Sequence, residues 1–189
     1  MNLWLRFFFV VLSALRRKRM GPLDVSTIRL MVLPNDLDLN GHINNGRYLT
    51  LADLGRTDYT LRAGLLKALW KRRAPAVVGD ALAKFRRDLK VFERFDLETR
   101  LAGWDDKWVY FEQRFIRAGR TCTLVATRIA IKNPKGGLLN PNDLVVDLRL
   151  PSESPALPDW MQQWSQSCEA ASLSLRREER GETELVASP

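Results

Sequence analysis

Apolar and polar positions change rhythm several times along the chain, and each change marks an element. Leu3 to Leu15 is apolar apart from Arg6 and Ser13, and four basic residues, Arg16 to Arg19, follow it directly. In Val25 to Pro34, Ile28, Leu30 and Val32 alternate with Arg29 and Met31, a two-residue period that predicts a strand ended by the proline. From Asn45 the period lengthens. Tyr48, Leu51, Ala52, Gly55 and Tyr59 fall at three- and four-residue steps, which predicts a helix that is apolar over much of its circumference and therefore buried. Leu61, Leu65, Leu66 and Leu69 extend that surface past Gly64, where the helix is expected to break. Ala52, Gly55, Ala63 and Gly64 are small enough to let another element approach closely. Ala76 to Val91 reads as one long or bent strand with a bulge at Gly79, and Arg94 to Trp104 as the next. Lys107 to Arg117 and Arg120 to Lys132 form a hairpin through Ala118-Gly119. In its first arm Val109, Phe111, Gln113 and Phe115 share one face, and Trp108, Tyr110, Glu112 and Arg114 the other. Past Lys132 come loops, a Pro/Ser linker, a short helix begun by Asp159 and a charged tail from Arg176 expected to be disordered. The chain thus divides into a terminal apolar and basic segment, residues 1–20, a domain over 21–150, and a tail region over 151–189. One central helix serves a run of antiparallel strands, which predicts an α+β fold.

Composition narrows the class. The 189 residues are 46% hydrophobic and 28% charged, enough for one domain with a real core. The net charge is +8, yet its distribution is lopsided. Thirteen Lys and Arg stand against five Asp and Glu through Arg73, and seventeen against seventeen after it. The folded body therefore carries no basic stripe, which argues against nucleic-acid binding. Neither Cys122 nor Cys168 sits in a CxxC pair or beside a histidine, so no zinc site is expected. Two scattered thiols fit a reducing compartment, the cytoplasm.

The first nineteen residues fall short of the ~20 consecutive apolar residues that a spanning helix needs. Their basic cluster follows the apolar run, the reverse of a cleaved secretory signal. Two readings remain. The segment lies on the inner membrane face, with Trp4, Phe7, Phe8 and Phe9 in the lipid boundary, or it packs on the domain or on a partner subunit. The first is preferred, because a basic run adds ~1 kcal/mol per charge at an anionic surface.

The chemistry gathers between the first strand and the central helix, in "PNDLDLNGHINNGRYL". Backbone amides at a helix start have no partners inside the helix, and with the helix dipole they favour negative charge. They suit a carbonyl oxygen that becomes an oxyanion. Asp38 lies six residues before Asn44, in a loop able to fold back over that start, where it could attack a carbonyl or activate a water. Turn chemistry uses the same residue types. Asp36 and Asp38 could cap turns, Asn44 and Asn45 could be N-caps, Gly41 could supply a positive φ, and His42, the single histidine, could hold the loop through a backbone carbonyl. Spacing alone leaves both readings open.

"NDLDLNGHINNGRYL" resembles the D-x-D-x-x-x-H-[VIM]-N-N-x-x-Y signature of hotdog-fold acyl-CoA thioesterases of the 4-hydroxybenzoyl-CoA thioesterase type. "GWDDKWVYFEQRFIRAGR" is similar to the subgroup typified by thioesterase superfamily member six. The likeness covers roughly Ile28 to Ile131. It implies a curved antiparallel sheet wrapped around one long helix, and a homodimer or dimer of dimers. It implies metal-free, cofactor-free hydrolysis of an acyl-CoA to a carboxylic acid and CoA. By the resemblance, Asp38 is the working carboxylate, the amide near Asn45 polarises the carbonyl, and His42 and Asn44 order the loop and a water. Asp53, on the central helix, is the second choice for the carboxylate. Lys84, Arg86, Arg87 and Lys90 are candidates for the CoA phosphates, with solvated strand-edge charges the equal alternative. The subgroup also leaves open an acyl-CoA or fatty-acid binding protein without catalysis. No G-x-S-x-G elbow offers a different hydrolase mechanism.

Overall fold

The computed structural model describes residues 3–181. The chain forms two compact units, 1–155 and 156–189.

In the first unit, α1 (Leu3–Arg16) precedes β1 (Ser26–Met31), and a single 3-10 turn (Pro34–Asp36) follows the strand. The long helix α2 (Asn45–Arg62) comes next, and Gly64, at φ 79°, separates it from the short α3 (Leu65–Lys71). Four strands follow, β2 (Ala76–Phe85), β3 (Arg94–Trp104), β4 (Trp108–Arg117) and β5 (Arg120–Lys132), then the two-residue β6 (Leu138–Leu139) and α4 (Asn142–Leu148). The sheet is antiparallel in the order β1-β3-β4-β5-β2, with β6 paired to β5. This is the expected α+β arrangement of a sheet and one long helix.

The two strand-pattern arms form as predicted, and both turn residues, Ala118 (φ 48°) and Gly119 (φ 72°), take the positive φ that a two-residue hairpin needs. The bulge falls at Gly79, between Val78 and Asp80. A Cβ there would come within 2.4 Å of the Trp108 ring, so only glycine lets that ring lie across the strand. β2 is shorter than predicted. It stops at Phe85, and Arg86 to Lys90 form a connection instead, because the Arg86 and Arg87 amides both turn to the Cys122 carbonyl.

One face of the sheet packs on α2. Tyr48 meets Phe115 edge-on at 5.0 Å between ring centroids, and Tyr59 meets Phe111 at 5.2 Å. Such pairs add about 0.5–1.5 kcal/mol each beyond their burial. Between them the helix backbone touches the sheet. Gln113 donates to the Ala52 carbonyl at 2.7 Å and to Thr99 Oγ1 at 3.1 Å. A Cβ on Gly55 would lie 2.5 Å from that Thr99 oxygen, which explains the small-residue step in the helix.

α1 packs on α2 and on the β1 edge. Val10 and Ala14 are buried, and so is Arg6, whose guanidinium donates to Asp36 and to the Met31 carbonyl. Arg17 donates to Asp58 and to the Thr27 carbonyl. Leu5, Phe8 and Phe9 are exposed on the other side. Among the described residues no helix is long and apolar enough to cross a membrane.

Between Lys132 and the Pro/Ser linker, sequence reading placed only loops. The structure has α4, opened at Pro141 and held to α3 by Arg72, which donates to Asp147 at 2.5 Å. In the second unit, α5 (Asp159–Glu179) is longer than the short helix expected. It runs into the charged stretch because Arg176 and Arg177 sit in its last turn, where the helix dipole favours positive charge. Of the tail expected to be disordered, residues 182–189 lie outside the described residues.

Candidate active site

The polar segment before α2 is a narrow antiparallel hairpin. The Asn44 amide donates to the Asp36 carbonyl at 2.8 Å, and the Asp38 amide donates to the His42 carbonyl at 2.8 Å. Leu37 and Ile43 bridge between these two pairs. Gly41, at φ 75°, closes the tip, and its amide donates to the Asp38 carbonyl at 3.1 Å. The far side is fixed too. The Ile43 amide donates to the Leu89 carbonyl at 3.1 Å, which ties the hairpin to the connection after β2.

The two aspartates of this hairpin differ sharply. Asp36 is fully buried. It accepts from Arg6 at 2.6 Å, from the Leu33 amide at 2.9 Å and from Arg47 at 2.8 and 3.2 Å. Burial alone would push its pKa up. The Leu33 amide and the Arg47 and Arg6 guanidinium groups outweigh that and hold the carboxyl below the usual range. With no oxygen left over, Asp36 is a structural pin for the hairpin and for α1. Asp38 is half-buried. Its Oδ1 accepts from the Asn40 amide at 2.9 Å and from the His42 amide at 3.4 Å, an Asx-type turn. No bond holds its other oxygen among the described residues.

Asn44 is the N-cap of α2, its Oδ1 accepting from the Gly46 amide at 2.9 Å. Asn45 opens the helix, and among the described residues no acceptor bonds its amide. Asp38 lies two residues up the hairpin from the Asp36–Asn44 pair, roughly 7 Å of extended chain. Asp38 is thus on the tip side of the hairpin, and Asn44 and Asn45 are at its helix end. Among the described residues the imidazole of His42 bonds no backbone carbonyl. Its Nε2 stands 3.1 Å from Asp88 Oδ2. Asp88, from the connection after β2, is a residue that spacing could not reveal, since it lies far along the chain.

Asp53 stands apart from this cluster, eight residues into α2, about 12 Å along its axis. Its side chain is 62% exposed and ion-paired with Arg56 of the same helix. Arg56 in turn donates to Gln113 at 2.6 Å. Burial lowers the Arg56 pKa, and Asp53 offsets that in part. Both residues border a groove of about 490 Å³. Val109, Phe111, Ile129 and Ile131 form its floor, and its polar side chains all come from α2. Asp38 and His42 do not line it. It begins at Thr50, about 8 Å along the helix from Asn45.

Of the four cations proposed for phosphate, Lys84 is on β2, whereas Arg86, Arg87 and Lys90 lie on the connection beyond it rather than on the strand. All four are exposed, and Arg87 donates to the Thr121 carbonyl at 3.3 Å. Lys90 bridges to His42, so this basic connection borders the Asp38 hairpin.

Known proteins share this architecture. The chain is 34% identical over 152 residues to Protein THEM6 of Xenopus laevis, covering 78% of this chain and 70% of that one. It is 30% identical over 181 residues to Protein THEM6 of Drosophila melanogaster, covering 94% and 91%. Among solved structures, the DHNA-CoA thioesterase of Staphylococcus aureus superposes with a TM-score of 0.56 at 16% identity, covering 79% of this chain and 95% of that one. Residues 32–165 match the thioesterase-like superfamily, a span that holds the hairpin, α2 and the whole sheet but β1. With its antiparallel sheet packed on α2 and the polar hairpin that leads into that helix, the chain belongs to the thioesterase-like superfamily and has the hotdog fold.

Proposed function

We propose that the protein hydrolyses an acyl-CoA thioester to a carboxylic acid and CoA. The thioester carbonyl sits at the start of α2, where the Asn45 amide and the helix dipole stabilise the oxyanion. Asp38 either takes a proton from a water that adds to the carbonyl and expels the CoA thiolate, or adds to the carbonyl itself, expelling the thiolate and leaving a mixed anhydride that water then cleaves to the carboxylic acid and free Asp38. His42, oriented by Asp88, and the Asn44 cap hold the hairpin in register with the helix. The acyl chain runs along α2 into the groove, and Lys84, Arg86, Arg87 and Lys90 offer charge to the CoA phosphates on the neighbouring connection. What supports this reading is a carboxylate with an uncommitted oxygen in the hairpin that leads directly into an unpartnered helix-start amide. Two further readings belong with it. A second copy pairs along the open edge of β2, and the exposed aromatic side of α1 contacts the cytoplasmic membrane surface.

A second reading is binding without turnover. It draws on the capping of Asp38 Oδ1 by its own loop and on the pairing of Asp53 with Arg56. The deciding experiment is CoA release from a panel of acyl-CoAs by wild type and Asp38→Asn. The variant keeps the shape and loses the charge, and a drop of at least about a hundredfold is expected. Undiminished turnover by a folded variant removes Asp38 from the mechanism. Tight binding with no release across the panel selects the second reading.

A further inference from the structure

We propose that α1 is the outer wall of the groove, and that Trp4 and Phe7 make the groove selective for long acyl chains. α1 lies outside the segment that matches the superfamily, residues 32–165, so this wall is added to the common fold. It contributes Leu3, Trp4 and Phe7 to the lining. The two rings meet edge-on at 6.2 Å between centroids and remain 75% and 39% exposed, a large apolar surface that the chain itself leaves in water. The wall is held in place from its other side. Arg6, between the two aromatics in sequence, is 4% exposed and pinned to Asp36 and the Met31 carbonyl, and Arg17 is pinned to Asp58. A fixed aromatic wall, an apolar sheet floor and a polar rim confined to one helix describe a slot for an apolar chain with a polar head. The volume of about 490 Å³ sets the size. A methylene occupies about as much space as a water, ~30 Å³. The slot therefore takes a chain of a dozen carbons or more, and a short or aromatic acyl group would leave much of it unfilled. The choice of substrate rests on the thioesterase reading. The chain-binding slot does not.

The test uses the full protein, Trp4→Ala with Phe7→Ala, and Leu69→Trp, which fills the groove from α3. Binding of non-hydrolysable thioether analogues of butyryl-, decanoyl- and palmitoyl-CoA is measured by titration calorimetry. CoA release from the matching thioesters is measured below their micelle concentrations, and thermal melting checks folding. Wild type is expected to bind the palmitoyl analogue at least tenfold more tightly than the butyryl one. The double variant is expected to lose at least fivefold of that preference, and Leu69→Trp to shift it toward shorter chains. An unchanged length profile in a folded double variant overturns the proposal. So does a flat profile in wild type, even with brisk hydrolysis, and so does a change of oligomeric state in the double variant with no length effect, which gives the groove to a second copy. Length-dependent binding with no CoA release sustains the proposal while the hydrolase reading falls.

Discussion

Asp36 and Asp38 are two residues apart and live in opposite environments. Asp36 is buried among two guanidinium groups and an amide, and removing the charge from such a cluster leaves buried partners uncompensated. Asp36→Asn is expected to cost about 3–5 kcal/mol at pH 7, read from urea melts. The sign of the pH effect follows from the depressed carboxyl. Its stabilisation is complete above the ordinary value of about 3.9 and is lost as pH falls through the lower folded value. In melts taken from pH 7 down to pH 2, the gap between wild type and variant should therefore begin to narrow below about pH 3.9. A gap that stays constant through that range would mean that the fold does not hold the Asp36 carboxyl low. At this scale the sequence marked both aspartates as turn formers, and Asp38 as a candidate for chemistry, without ranking them by burial. The ranking comes from Arg6 and Arg47, 30 and 11 residues away from Asp36. Spacing left Asp38 open between turn former and working carboxylate, and the resemblance implied the second. His42 was legible as a loop residue, while its Asp88 partner was not, because no local spacing links them.

Among the elements, α1 shows how one helix can answer to two environments. Arg6, Val10 and Ala14 lie on the face that packs against the fold, and Phe8 and Phe9 lie on the face left open. Sequence reading set membrane contact and packing against each other; the helix packs, and its open face is where membrane contact is proposed. Deleting residues 2–19 would strip partners from Asp36 and Asp58 and mix the two effects. Phe8→Ser with Phe9→Ser is the cleaner change. Surface substitutions of this kind usually alter stability by under about 0.5 kcal/mol. The pair should abolish flotation with phosphatidylserine vesicles at low salt and leave the melting temperature nearly unchanged. Flotation that persists in the pair would put the contact elsewhere, and wild type that never floats would end the membrane reading. The central helix was legible almost residue by residue, since its buried face repeats at helical steps. α4 was not, because seven residues opened by a proline carry too few turns to show a period.

For the whole molecule, the two edges of the sheet are treated differently. The guanidinium groups of Arg6 in α1 and of Arg17 just past its end occupy the Met31 and Thr27 carbonyls on the β1 edge. The β2 edge runs for ten residues with Val77, Val78 and Phe85 exposed. An open apolar edge invites pairing with another strand, and natural edges are blunted by lysine. Val77→Lys with Phe85→Lys should convert a dimer to a monomer by sedimentation. A wild type already monomeric at micromolar concentration, or a variant that stays dimeric, would move the interface off β2.

The sequence by itself determined the elements and their order. Strand alternation, helical steps, the hairpin turn, the bulge glycine and the Asn44 cap are all set by neighbours a few residues apart. Tertiary structure decided which aspartate is buried, what His42 faces, that α1 walls a groove, and which sheet edge stays open. Those outcomes depend on pairing charges and surfaces across dozens of residues. Local periodicity says which face of an element seeks burial, but only the closed fold supplies the group that meets it.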